Sequence, residues 1–137
     1  MTEIEITKAS EVKVREIEWL WYPYIPFGKI TVVQGDAGDG KSTFVLNLAA
    51  MLSQGQPMPF TDGTGQPPIN IIYQSSEDDA DDTIVPRFIS AGGDPERLLF
   101  ISEKERYLSF SDERLIQAVR QTGARLVVLD PLSAYIG

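Results

Sequence analysis

The stretch that most constrains this chain is Gln34-Gly35-Asp36-Ala37-Gly38-Asp39-Gly40-Lys41-Ser42-Thr43. It sets a glycine, four further residues, Gly-Lys and then a hydroxyl residue in unbroken order. Ahead of it Ile30-Thr31-Val32-Val33 is short and β-branched, as a buried strand should be. Behind it Phe44, Leu48 and Leu52, with Val45 and Ala49 beside them, mark one face of a helix that Gly55 stops. Strand, glycine turn and helix in that order form the setting in which backbone N–H groups wrap a nucleotide's phosphates.

The residue types explain how such a loop works. Gly35, Gly38 and Gly40 let the backbone approach phosphate oxygens without Cβ atoms in the way. A helix starting near Lys41 adds unpaired N–H groups and the positive end of its dipole. Lys41 brings a mobile charge for the β- and γ-phosphates, and the Ser42 hydroxyl suits Mg²⁺. Thr43 is placed to donate to the α-phosphate. Asp36, Ala37 and Asp39 complete the binding loop, the two acids facing solvent. ATP and Mg²⁺ are the implied cofactors; the weaker reading is a Gly-rich turn with an exposed lysine.

Composition narrows the chemistry. At 137 residues the chain is one domain at most, with 12 basic and 20 acidic residues and a net charge of -8. That balance argues against a broad nucleic-acid patch on this piece, although a local groove or a partner subunit could supply one. There is no Cys and no His, so disulfides, thiolate metal sites and the commonest general base are excluded. Carboxylates, Lys, Arg and Mg²⁺ must do the work. The acidic first twenty residues lack the form of a signal peptide and no window reaches membrane-span length, which points to the cytoplasm.

Residues 1–18 read as a charged arm or a short edge strand, and 19–137 as the folded domain. Five aromatic rings fall within 19–27, in Trp19-Leu20-Trp21-Tyr22-Pro23-Tyr24-Ile25-Pro26-Phe27. The prolines preclude a helix there. The spacing predicts an extended lid over one edge of the core, with a turn at 26–29 feeding the first strand; alternatively one ring stacks on the nucleotide base. Residues 54–68, rich in Gly and Pro, make a long loop.

Further along, Asn70-Ile71-Ile72-Tyr73-Gln74 predicts a second strand running into Ser75-Ser76-Glu77-Asp78-Asp79-Ala80-Asp81-Asp82. A helix over about 81–91 follows, with Ile84, Phe88 and Ile89 inward and a kink at Pro86. Residues 98–101 predict a third strand. Ser109 to Asp112 has capping-box spacing, so a helix bearing Leu115, Ile116 and Val119 begins there and ends at Gly123. Leu126-Val127-Val128-Leu129-Asp130-Pro131 is a strand ending in a carboxylate. Strands alternating with helices predict an α/β fold with a parallel sheet and right-handed crossovers.

Asp130, ending an apolar strand downstream of the phosphate loop, has the form of a Walker B carboxylate holding a metal-bound water opposite Ser42. Hydrolysis also needs a group that orients or deprotonates water. Without His, a carboxylate at the end of a neighbouring strand is the best base. Glu77 meets that condition, with Asp78 second; Asp79, Asp81 and Asp82 read as solvated acids at a helix start.

With these residues in view, the chain resembles the RecA-like hexameric P-loop ATPases of the plasmid RepA-type replicative helicases and related AAA-type phage and mobile-element ATPases. The likeness rests on Gly28, Gly35 to Thr43, Ser76-Glu77-Asp78, Arg87 and Leu129-Asp130-Pro131-Leu132-Ser133, and covers roughly residues 19–137. It implies Glu77 as catalytic base with Lys41, Asp130 as Mg²⁺ partner, a hexameric homo-oligomer, and DNA as the track. Asp36 and Asp39 depart from the small or apolar residues usual in the family's loop. The family continues past Walker B with further strands, DNA-binding loops, a sensor residue and an arginine finger, one strand lying between the Walker B and phosphate-loop strands. The resemblance therefore implies a RecA-like sheet flanked by helices but truncated after the Walker B strand. That leaves a shortened chain, a segment supplied by another chain, or a rearranged sheet.

Two other functions remain open on sequence alone. One is a nucleotide-gated assembly module that binds ATP with little hydrolysis. The other is a phosphotransfer kinase built on the same loop.

Overall fold

The computed structural model describes residues 3–35 and 40–136. Its backbone divides into two units, Met1–Val32 and Val33–Gly137. In the first, residues 3–18 are exposed throughout and hold one 3-10 turn, Ala9–Glu11, so they form an arm and no edge strand. Strands β1 (Trp19–Trp21) and β2 (Ile25–Pro26) then pair antiparallel. The extended lid of the sequence reading is thus a hairpin. Its turn closes with Tyr24 N donating to Trp21 O at 2.7 Å, and Phe27 N donates to Glu18 O at 2.8 Å. Trp19 meets Tyr22 edge-on at 5.1 Å between centroids, and Trp21 meets Tyr24 at 4.6 Å. Aromatic contacts at those separations favour folding back over extension.

The expected strand at 30–33 is absent. These residues carry no regular structure and Ile30 is 70% exposed. β-branched composition is a preference for a pleated, half-buried surface, and only a ladder turns it into a strand. Among the described residues no strand offers one.

The second unit is a mixed α/β layer. Helix α1 (Lys41–Gln54) follows the loop, and a long connection leads to β3 (Ile71–Ser75). A single π-helical turn, Ala80–Ile84, runs directly into α2 (Val85–Ser90), so Pro86 sits where the π turn gives way to α-helix. Then come β4 (Leu98–Leu99), α3 (Glu113–Thr122) and β5 (Leu126–Asp130). The three strands form one parallel sheet in the order β4-β3-β5. This parallel sheet flanked by helices is the architecture of a P-loop domain.

Ile71 and Tyr73, two residues apart on one face of β3, pack with Leu46, Ala49 and Ala50 of α1 and with Ile84 and Phe88. Two inward assignments change. Phe44 and Ile89 are about half exposed, while Leu46 and Ala50 are buried. Helix α1 is covered over a wider arc than a single 3.6-residue stripe marks. The cap of α3 also moves: Asp112, not Ser109, accepts from the Arg114 N–H at 2.9 Å. Its carboxylate is the stronger acceptor for the helix's first N–H groups. Among the described residues no helix is long and apolar enough to cross a membrane.

Candidate functional site

The site is set by strand register. β3 and β5 stay paired from Ile71↔Leu126 to Ser75↔Asp130, so both strands end at the same level. One more backbone bond, Ser76 N donating to Asp130 O at 3.1 Å, carries the pairing past the last rung. Carboxyl ends of parallel strands are where ligands bind in open α/β sheets.

Helix α1 begins at that edge. Gly40, its N-cap, has φ 80°, a left-handed conformation that β-carbon sterics disfavour in other residues. Lys41 and Ser42 form the first turn. Ser42 Oγ donates to Asp130 Oδ2 at 3.1 Å, and Lys41 Nζ lies 3.5 Å from Asp130 Oδ1. Residues 88 positions apart in sequence thus meet at one largely buried carboxylate. A hydroxyl and a carboxylate converging at the positive end of a helix are the hard oxygen donors that Mg²⁺ takes, so these residues fit that ion.

Glu77 and Asp78 stand on the turn directly after β3. The Ser75 hydroxyl accepts from Glu77 N at 3.2 Å and from Asp78 N at 3.1 Å, which fixes the turn's backbone. Glu77 is exposed and Asp78 half-buried. Beneath them the Tyr73 hydroxyl is held protonated well above the ordinary range, chiefly by burial and then by the negative charges of Asp130 and Asp78, with Arg87 opposing. Burial, and then Glu103 and Asp130, likewise push Tyr135 up to about 12.

Lys41, Ser42 and Asp130 are therefore in direct contact, and Glu77 rises from the neighbouring strand tip. Gly35 and Thr43 are exposed, and the Thr43 carbonyl accepts from Asn47 Nδ2 at 2.8 Å. Asp36, Ala37, Gly38 and Asp39 lie outside the described residues. Asp79, Asp81 and Asp82 cluster with carboxylate oxygens within 4.8 Å of one another, all exposed, as solvated acids at a helix start. Sequence reasoning passed over Ser75 and Gln74. The available signal was a polar pair ending an otherwise apolar strand.

A family model described as "AAA domain" matches residues 4–137. The chain belongs to the AAA domain family. This places it among AAA-type ATPase domains of the P-loop superfamily, in keeping with the Lys41–Asp130 geometry. The match runs through both units of this AAA domain. No curated protein and no solved structure matches the chain.

Proposed function

We propose that this AAA domain binds and hydrolyses ATP with Mg²⁺ as a RecA-like motor core, in a replicative DNA helicase of the plasmid RepA type or a related DNA-metabolism ATPase. The observation that carries the reading is the convergence of Lys41 and Ser42 on Asp130, beside the strand tip that bears Glu77. Gly35 through Thr43 cradle the phosphates, Lys41 holds the β- and γ-phosphates, and Ser42 and Asp130 hold the metal. Bound there, Mg²⁺ supplies charge that offsets the phosphates. Glu77 orients the attacking water and takes its proton, within hydrogen-bond reach or through one further water. A hexameric ring and single-stranded DNA as track belong to the same proposal, supported by the sequence likeness in Ser76-Glu77-Asp78 and Leu129 to Ser133.

Replacing Glu77 by Gln tests the reading on the full chain. Phosphate release from ATP should fall by on the order of a hundredfold or more while ATP binding is retained. Unchanged turnover would instead favour a nucleotide-gated assembly module. Stimulation of wild-type turnover by single-stranded DNA tests the motor assignment separately.

A further inference from the structure

The ladder between β3 and β4 consists of Ile71↔Leu98 and Ile72↔Leu99, whereas β3 remains paired with β5 up to Ser75. One side chain stands where the next rungs toward β4 would be. Gln74 is 3% exposed, and its carboxamide faces the backbone of Ile101. Gln74 Oε1 accepts from Ile101 N at 2.6 Å, and Nε2 donates to Ile101 O at 3.2 Å. A primary amide that satisfies both polar groups of one residue reproduces what a neighbouring strand would supply.

The segment that begins at Ile101 is fastened further along. Arg114 donates through Nη1 to Ser102 O at 3.2 Å and through Nη2 to Tyr107 O at 2.9 Å. Glu103 Oε1 accepts from Leu108 N at 2.7 Å. Phe110 N donates to Tyr135 O, on the chain leaving β5. Residues 101–110 therefore run from the tip of β3 to the chain beyond the tip of β5. Directly after Gln74 comes Ser75, whose hydroxyl sets the turn carrying Glu77.

We propose that Gln74 is a positioning residue: by replacing the rungs that β4 does not supply, it fixes the tip of β3 against segment 101–110 and so sets where Glu77 is presented. The inference rests on the hydrolytic reading of Glu77. It predicts that the side chain acts on turnover and not on nucleotide affinity, because Lys41 and Ser42 meet Asp130 on β5, on the opposite side of β3 from β4.

The test is Gln74→Met in the full chain, since Met keeps the length and apolar bulk while removing both hydrogen bonds. Amide exchange and NMR shifts at Ile101, Glu77 and Asp78 are followed beside ATP affinity and kcat. The expected result is faster exchange at Ile101, shifted Glu77 and Asp78 amides, unchanged ATP affinity, and kcat lower by roughly ten- to a hundredfold, as for a misplaced catalytic group. Wild-type kcat together with a released Ile101 amide would overturn the proposal and leave Gln74 a purely structural tie. So would affinity and kcat falling together.

If the Met variant does not fold, Gln74→Glu carries the test, because its carboxyl retains an acceptor for the Ile101 N–H. Protected Ile101 with near wild-type kcat supports the proposal, as does loss of both; either one without the other overturns it. Should wild-type protein release no phosphate from ATP, the hydrolytic reading fails. Shifted Glu77 and Asp78 amides in Gln74→Met would still establish the positioning.

Discussion

Ser75 and Asp130 face each other as the last rung of the β3–β5 ladder. Glu77, two residues past Ser75, therefore leaves the sheet beside the carboxylate that receives Ser42 and Lys41. Replacing Asp130 by Asn keeps an acceptor for the Ser42 hydroxyl but removes the charge that Lys41 meets and on which the proposed Mg²⁺ role depends. ATP turnover should fall by about a hundredfold or more, on the scale of losing one preorganised electrostatic group. The enhancement of ATP binding by Mg²⁺ should disappear with it, as read by titrating a fluorescent ATP analogue with and without the ion.

Lys41 has a different predicted signature. In the proposed role its ammonium would interact with phosphate in ground and transition states alike, so Lys41→Met should weaken ATP binding itself. A charge-assisted contact contributes about 1.5–3 kcal/mol, or roughly ten- to a hundredfold in affinity. Equilibrium binding measures this directly, and an unchanged dissociation constant would contradict the role.

Acid stability should depend on Asp112. The Arg114 guanidinium and backbone N–H, helped by Arg106, hold this carboxyl down from the ordinary 3.8 to about 2. A group whose folded-state pKa is depressed stabilises the fold above its unfolded pKa. That contribution is lost as pH falls through the folded value. Wild-type protein should therefore lose this contribution between about pH 4 and about pH 2. Asp112→Asn keeps the cap acceptor without the charge, so its denaturation midpoint should change less across that window.

The core leaves no room where the turn after α2 closes. A β-carbon on Gly93 would collide with the ring of Phe88, which has no exposed surface. Gly93→Ala should cost about 1–3 kcal/mol through overpacking. Phe88→Ala should cost about 3–5 kcal/mol through the cavity it leaves. Urea denaturation measures both. The reading fails if the larger residue at 93 is neutral while Phe88→Ala is severe.

What could be read from the chain in advance was local. The order of helix, second strand, acidic turn and Asp-terminated strand was legible because hydrophobic runs and turn residues write themselves into sequence at short range. Asp130 and Glu77 stand out because each follows such a run. The faces of α1 and α2 were read less well: Phe44 and Ile89 fit a helical stripe, but burial depends on what lies opposite. Gln74 looked like a strand's last residue, and nothing nearby in sequence indicates that its amide closes on Ile101.

Sequence alone made the phosphate-loop pattern legible, because its glycines, lysine and hydroxyl are consecutive residues. It also showed that these residues offer carboxylates, Lys and Arg but neither His nor Cys. Tertiary structure alone decided that Ser42 and Lys41 meet Asp130, that 30–33 stays out of the sheet, and that 19–26 closes into a hairpin. A ladder or an ion pair is a relation between distant segments, and composition at either end states only a preference until the partner is in place.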